Sequence, residues 1–317
     1  MGRDCLSRMC AFRRRAFTLA IVLLAVAALQ PLPAAEAILV GAGDIAKCGK
    51  RLEDAEATAR VLDRLFVELN AATCDGASLV DDAAVFTVGD NVYKNGTAEE
   101  FRECYDPTWG RHRERTRPAI GNHDYDGRNA EPYFDYFGEA AGERGKGYYS
   151  YNLGDWHIVV LNSACKKVGG CDEGSEQYRW LLQDLQENPN RCAAAYFHHP
   201  LFTSGKHGPQ KNMKSLYQVL YDHGVELVLA GHDHNYERFA PQTPDGKLDR
   251  ERGIRQFVVG MGGREHRKIR RAAPNSEVRD RSSYGVLKLT LKPDRYDWEF
   301  LPVDGAVFQD AGTGMCH

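Results

Sequence analysis

Five times in this chain a short run of apolar residues ends in an aspartate, an asparagine or a histidine. The runs are ILVGAGD, VFTVGDNVY, RPAIGNHD, AAAYFHHP and VELVLAGHDH, ending near residues 44, 90, 122, 198 and 232. Together with WHIVVLN and QFVVG they are short, rich in branched residues and bounded by glycine or polar clusters, as strands covered on both faces should be. In sheets that alternate with helices, the ligand crevice lies beyond the carboxyl ends of the strands. Five strand ends then carry Asp44, Asp90, Asn122, His198, His232 and His234 to one rim.

Between the apolar runs three segments repeat with helical period. Val61, Leu62, Leu65, Phe66 and Leu69 form one stripe. Tyr178, Leu181, Leu182 and Leu185 form a second, opened by Ser175 and closed before Pro189. Met213, Leu216, Tyr217 and Leu220 form a third, with Gly224 placed to end it. Near the end, VLKLTL and YDWEF alternate around the turn KPDR and predict an antiparallel hairpin. Strands alternating with helices and followed by a hairpin give an α/β layered class. No repeat, long linker or low-complexity tract interrupts residues 38–317, which read as one domain.

The first residues do not belong to that domain. MGRDCLSRMCAFRRR carries five arginines and precedes AFTLAIVLLAVAAL, fourteen residues without a charge. That is the pattern of a signal peptide, and it falls short of the roughly 20 residues of a spanning helix. Ala35 and Ala37 have the A-x-A spacing of a cleavage site, which predicts cleavage after Ala37, with Ala35 as the second choice. Arg14, Arg15 and Phe17 resemble the twin-arginine pattern R-R-x-F. The expected product is exported, periplasmic or extracellular, with no membrane span once residues 1–37 are removed. Of 41 basic and 44 acidic residues, the leader removes five and two, leaving 36 against 42, a net charge of −6. Nothing in such a balance suggests nucleic acid as a general partner.

Cysteines remain at 48, 74, 104, 165, 171, 192 and 316, without the C-x-x-C pairs of a structural zinc site. In an exported chain they point to disulfides. Cys165 and Cys171 flank a short loop with Gly169 and Gly170 and form the best-supported pair. Cys48 with Cys74, and Cys192 with Cys316, are the expected others, leaving Cys104 free.

Singly, each polar strand end has a plain structural explanation as a turn or a solvated pair. Together they contain only residue types that bind cations through oxygen or imidazole nitrogen, with no thiolate among them. Six such donors plus Tyr93 exceed what one four-coordinate ion takes. Two ions sharing a bridging carboxylate, for which Asp90 is the central candidate, would use them all. Such a pair suits in-line displacement at phosphorus.

The ordered motifs GD, GDNVY, GNHD, HHP and GHDHNYER resemble those of the calcineurin-like metallophosphoesterases, and within them the purple acid phosphatases, with likeness to exported bacterial members. The similarity runs over nearly all of residues 38–317, including FVVGMGG and the closing hairpin. It implies two mixed β-sheets packed as a sandwich flanked by helices. It also implies an iron(III) ion held by Asp44, Asp90, Tyr93 and His234, and a divalent ion (Fe, Zn or Mn) held by Asp90, Asn122, His198 and His232. The first histidine of H-x-P is the ligand in the family, which selects His198 and leaves His199 a supporting role. Tyr93 is the distinguishing position, since a phenolate is a hard oxygen donor suited to a trivalent ion, and core packing is the alternative for its ring.

His123, beside Asn122, and His207 in TSGKHGP, nine residues past His198, match the family's substrate histidines; both would bind phosphoryl oxygens and either would protonate the leaving group. The expected activity is hydrolysis of phosphate monoesters, on phosphorylated small molecules or exposed phosphoesters, by direct attack of hydroxide held at the metals. A phosphodiesterase or nucleotide hydrolase on the same site is the rival, with a non-catalytic metal- or phosphate-binding protein behind it. The residues that would shape the outer pocket, such as Tyr236, Arg238 or the 205–212 loop, are not placed by the sequence. Two basic segments, RHRERTR at 111–117 and REHRKIRR at 264–271, read more naturally as solvated surface than as a substrate rim.

Overall fold

The computed structural model describes residues 36–71 and 82–317. Among these residues the strands build two large mixed sheets. In the first, β1 (Ala37–Ala42) lies between β3 (Ala83–Val88), which it pairs in parallel, and β13 (Gly285–Lys292), which it pairs antiparallel. β5 (Thr116–Ala119) adds in parallel beyond β3, while β14 (Arg295–Pro302) and β15 (Ala311–Met315) extend the other side. The expected hairpin is β13–β14, with Lys292 opposite Arg295 across Pro293 and Asp294.

The second sheet has the order β12, β10, β11, β9, β8, β7, β6. Its parallel centre is β7 (Trp156–Val160), β8 (Cys192–Tyr196), β9 (Leu227–Ala230) and β11 (Arg255–Val259). β6 (Tyr149–Leu153) closes one side; β10 (Tyr236–Phe239) and β12 (Ser276–Asp280) close the other. The central strands are the apolar runs of the sequence. β12 and β15 escape that criterion because, as edge strands, they leave half their residues in water.

Alternation along each strand sorts the core into layers. Leu39, Phe86, Leu287 and Leu289 of the first sheet meet Ile158, Tyr196, Leu229 and Phe257 of the second in the space between the sheets. Ile38, Val40 and Val85 face outward against helix α1 (Leu52–Ala71), where all five residues of the first predicted stripe are buried. Val159, Ala195 and Val228 face the opposite way, against helices α3 (Glu176–Glu187) and α4 (Lys214–Asp222). Helix α2 (Glu131–Phe137), preceded by Asn129 and Ala130 at positive φ, contributes Tyr133, Phe134 and Phe137 to the α1 side. The result is a four-layer sandwich, helix outside, two sheets inside, helix outside. Each buried Leu, Ile or Phe in these layers contributes about 1.5–3 kcal/mol, so the sandwich holds its strand ends rigidly.

Among the described residues three disulfides are formed: Cys165–Cys171, Cys192–Cys316 and Cys48–Cys104. The first two match the sequence expectation. The third corrects it, because Cys104 is bonded, not free, and Cys48 does not pair with Cys74, which lies outside the described residues. The turn Phe101–Tyr105 packs beside the loop after β2 (Ala46–Lys47), bringing the Cα atoms of Cys48 and Cys104 within 5.4 Å. The leader expected over residues 1–37 also lies outside the described residues, apart from Glu36 and Ala37. Ala37 is buried as the first residue of β1, paired with Leu291.

Candidate metal centre

Beyond the ends of β1 and β3 the two chains continue side by side. Asp44, Ile45 and Ala46 donate their N–H groups to the carbonyls of Gly89, Asp90 and Asn91 at 3.0–3.1 Å, and β2 pairs with β4 (Val92–Tyr93). This short ladder sets Asp44 against Asp90 and Tyr93. Asp44, Asp90 and His232 all hold positive φ (57°, 52° and 68°), a strained region for non-glycine residues that the surrounding packing enforces and that gathers at functional sites. Gly89 (φ 87°) and Gly121 make room: a Cβ on Gly121 would lie 2.2 Å from an Asp90 carboxylate oxygen, and one on Gly89 2.8 Å from the His198 ring.

The side chains delivered there touch one another. The Tyr93 hydroxyl reaches Asp44 Oδ1 at 2.6 Å and Asp90 Oδ2 at 2.9 Å. His234 Nε2 is 3.4 Å from Asp44 Oδ1. On the other side of Asp90, His198 Nε2 lies 3.3 Å from the same Oδ2, 3.1 Å from Asn122 Oδ1 and 3.2 Å from His232 Nδ1. All seven candidate ligands therefore form one connected set, in which Asp90 touches both Tyr93 and His198 and His232 donates its main-chain N–H to Asp44 Oδ2 at 2.9 Å. His123 donates its main-chain N–H to Asp90 Oδ1 at 2.8 Å, and its ring centre is 4.7 Å from that of Tyr93. The His207 ring centre lies 4.4 Å from that of His232.

Whether these residues suit a metal pair is decided by donor chemistry and spacing. Donors about 2.1 Å from an ion stand about 3 to 3.4 Å from each other, which is the spacing of the histidine contacts here, while the Tyr93 hydroxyl lies closer to its two carboxylates, at direct hydrogen-bond distance. The far nitrogens of two imidazoles are taken by main-chain carbonyls, His198 Nδ1 by Val88 at 2.8 Å and His234 Nδ1 by Glu265 at 2.7 Å. That is how ligating histidines are oriented, with Nε2 left facing the cluster. Burial pushes His232 and His234 down, His234 to about 3, so both are neutral with lone pairs available. Burial pushes Asp44 up to about 6, opposed by His198 and reinforced by the Asp90 charge. Asp90 is also buried, yet His198 and His123 hold it well below the usual carboxylate range, while His198 overcomes burial to reach about 9. Two buried carboxylates thus share one phenolic proton and draw a second onto an imidazole. Cations among these oxygens and nitrogens would relieve both demands, so the donor set suits bound metal.

Several supporting residues were not singled out from the sequence. Asp124, the last residue of GNHD, is buried and accepts from Gly121 N, Asn91 N and Asn91 Nδ2 at 2.8–3.0 Å, tying the Asn122 loop to the Asp90 loop. Asp233, between the two histidines of GHDH, accepts from Thr203 Oγ1 and His207 N at 2.8 Å and sets the His207 loop. Their motifs were visible but their neighbours were not. His199 is held by Ser163, whose Oγ is 2.8 Å from Nδ1, and its ring backs onto His232 at 4.4 Å. Tyr236 and Arg238, which the sequence left unplaced, bind Asp310 at 2.6 and 2.8 Å, and Tyr236 fills the space between the sheets.

Comparison with known proteins decides the family. The model of the calcineurin-like phosphoesterases matches residues 29–236, well over half of the chain. The chain belongs to the calcineurin-like phosphoesterase family. Among curated relatives of this phosphoesterase, probable purple acid phosphatase 20 of Arabidopsis thaliana is 30% identical over 187 residues, 55% of this chain and 42% of that protein. Human acid phosphatase type 7 is 29% identical over 204 residues, covering 54% of this chain and 45% of the relative. The chain thus spans less than half the length of these relatives in the matched region. A purple acid phosphatase from yellow lupin (Lupinus luteus) seeds shares the fold, with a TM-score of 0.70 at 20% identity over 89% of this chain and 55% of the other. The family implies a binuclear metal centre, and the cluster just described contains groups of side chains that could hold a metal ion.

Proposed function

We propose that the chain is an exported phosphoesterase with two metal ions that hydrolyses phosphate monoesters. The observation that carries this is Asp90 Oδ2, which lies 2.9 Å from the Tyr93 oxygen and 3.3 Å from His198 Nε2 and so faces both ligand groups at once. Asp44, Asp90, Tyr93 and His234 would hold iron(III); Asp90, Asn122, His198 and His232 would hold a divalent ion, Fe, Zn or Mn. When bound, the two ions supply an acidified water and offset the charge of the phosphoryl oxygens.

The protein's own groups position and protonate. His123 Nδ1 is engaged by Lys94 O at 2.8 Å and Asp126 Oδ2 at 3.1 Å, which fixes the ring and leaves Nε2 for a phosphoryl oxygen. His207 stands beside His232 on a loop tied to Asp233, where it would bind a second oxygen. Either would give a proton to the departing alkoxide. The name purple acid phosphatase carried by the relatives supports this substrate class.

Export is supported by the three disulfides and by the leader in the sequence. No helix among the described residues is long and apolar enough to cross a membrane. Cleavage after Ala35 would keep β1 whole, whereas cleavage after Ala37 would remove its first buried residue. The function is tested by loading the mature protein with metal and comparing monoesters with diesters over a range of pH. Monoester turnover with two ions per chain is expected. Diester preference would select the rival hydrolase, and a fully loaded protein without turnover on either would overturn the enzymatic assignment.

A further inference from the structure

Among the described residues the two large sheets end in β5, β6, β12 and β15. An edge strand is a row of unpaired N–H and C=O groups that invites another strand, and proteins usually blunt it with proline, charge or a cover. Three of these edges are guarded in that way. β5 carries Pro118, whose carbonyl accepts from the hydroxyls of Tyr133 at 3.0 Å and Tyr149 at 2.9 Å, while Arg117 O accepts from Tyr196 at 2.8 Å. Through Tyr149 the same bond ties β6 to β5. β12 holds Glu277, Arg279 and Asp280, and Arg279 reaches back to Ser276 O at 2.9 Å.

β15 has no such guard. Its sequence AGTGM contains neither charge nor proline. Phe300 N donates to Asp310 O at 2.8 Å and Cys316 N to Asp294 O at 2.9 Å; since antiparallel bonding alternates, Gly312 and Gly314 complete the ladder to β14. Ala311, Thr313 and Met315 therefore turn their N–H and C=O groups away from the sheet, where they meet no partner among the described residues. All three are exposed, Met315 to 60%. On the inner face a Cβ at Gly312 would lie 2.3 Å from the Trp298 ring and one at Gly314 2.2 Å from that of Tyr296, so the glycines let both rings lie flat on the strand. The neighbouring charges are met within the chain, Lys292 by Asp297 at 2.7 Å and Arg295 by Asp294 at 3.1 Å. Thr313 Oγ1 donates to Asp297 at 2.6 Å.

We propose that β15 is a dimerisation edge, on which two copies of this chain pair antiparallel about a two-fold axis through Thr313. The strand suits its own copy. G-T-G reads the same in both directions about Thr313, so the two-fold sets Thr313 opposite Thr313 and Ala311 opposite Met315. These are the residues whose main-chain groups face outward, so every outward N–H and C=O of the strand finds a partner. A slip of one residue would set them against glycines already bonded to β14. Thr–Thr is a favourable cross-strand pair, and the exposed Met315 of one copy falls beside the small Ala311 of the other. Pairing of this kind closes on itself and leaves no edge to grow. A foreign extended peptide would use the same groups but has no need of the G-T-G symmetry.

The test is the oligomeric state of the protein over a concentration series, by sedimentation equilibrium, for the wild type, Thr313→Pro and Met315→Lys. Thr313 N has no acceptor in the single chain, so proline there costs the monomer little and removes both bonds at the axis. The wild type should show a monomer–dimer equilibrium. Thr313→Pro should raise its dissociation constant about 10- to 100-fold, the worth of two main-chain hydrogen bonds. Met315→Lys should weaken the dimer while leaving the backbone groups in place. Amide exchange reads the edge directly: residues 311–315 should exchange more slowly in concentrated than in dilute wild type, and equally in the two for Thr313→Pro. A wild type that stays monomeric, a dimer unchanged by both variants, or a dimer whose 311–315 amides exchange as in the monomer would overturn the proposal. Protection that appears only when an unrelated extended peptide is added would give the edge to a foreign strand and overturn it equally.

Discussion

Two clusters in this protein combine aspartate, histidine and arginine, and they behave differently. On the outer surface Asp63 accepts from Arg111 at 2.8 Å and from His112 at 2.9 Å, and Glu56 accepts from Arg111 at 2.7 Å. The pairs are partly exposed, each negative charge meets a positive one, and water screens the rest. At the strand ends, Asp44 and Asp90 are buried and both face the Tyr93 hydroxyl, while His198, His199 and His232 crowd one another. There the charges do not balance among themselves, and the backbone carrying three of the residues is strained. A cluster that satisfies itself is surface; one that needs added cations is a site.

The largest effect should come from removing the carboxylate common to both ligand groups. Asp90→Asn should lose most bound metal and nearly all turnover, while the core and three disulfides keep the fold. A full two-metal complement by elemental analysis would end the bridging assignment and narrow the contrast between the clusters.

Next come the histidines that face substrate. His123→Ala and His207→Ala should each lower turnover by about 10² to 10⁴ with metal content near normal, the usual worth of a positioned acid or base. Metal loss in His207→Ala, or unchanged turnover, would take that residue out of the site.

Tyr93→Phe should act more gently, because it keeps the buried ring and removes only the oxygen between Asp44 and Asp90. Tyrosinate on iron(III) absorbs visible light, so the oxidised, iron-loaded wild type should be pink to purple and the variant colourless, with weaker iron retention. Unfolding of the demetallated proteins should occur at nearly the same temperature. An unchanged spectrum would return Tyr93 to core packing.

The smallest effect belongs to the outer cluster. Asp63→Asn should cost about 1 kcal/mol at most in denaturant unfolding, as partly exposed ion pairs do, and should leave metal content and turnover alone. A loss of activity there would break the distinction drawn between the two regions.

The two basic segments show where sequence patterns stop being informative. Both were expected as solvated surface. In residues 111–117 the arginines near the start lie at the surface, Arg111 paired and Arg113 and Arg115 over Tyr136 and Phe66, while His112 is buried and Thr116 and Arg117 open β5. Residues 264–271 instead run along the metal cluster, held by bonds to Asp44, His234 and Ser204. The one-letter patterns are nearly interchangeable, since what separates them is which distant residues offer acceptors. Tyr236 and Arg238 teach the same, as the sequence could not place them and Asp310, over seventy positions away, is what holds them.

By itself the sequence determined the layers and the rim. Strand period and helical period are local properties, and a branched run that stops at a glycine before Asp, Asn or His already says which residues lie at a strand's carboxyl end. Asp44, Asp90, Asn122, His198, His232 and His234 needed no knowledge of contacts to be placed together. The hairpin around KPDR and the Cys165–Cys171 pair were legible for the same reason. Only the tertiary structure decided that Cys48 meets Cys104 across 56 residues, that Asp124 and Asp233 brace the site loops, and that Arg267 is left without a carboxylate among the described residues. These depend on how the loops beyond the sheets pack against each other, and chain entropy leaves such long-range meetings open until the sandwich closes.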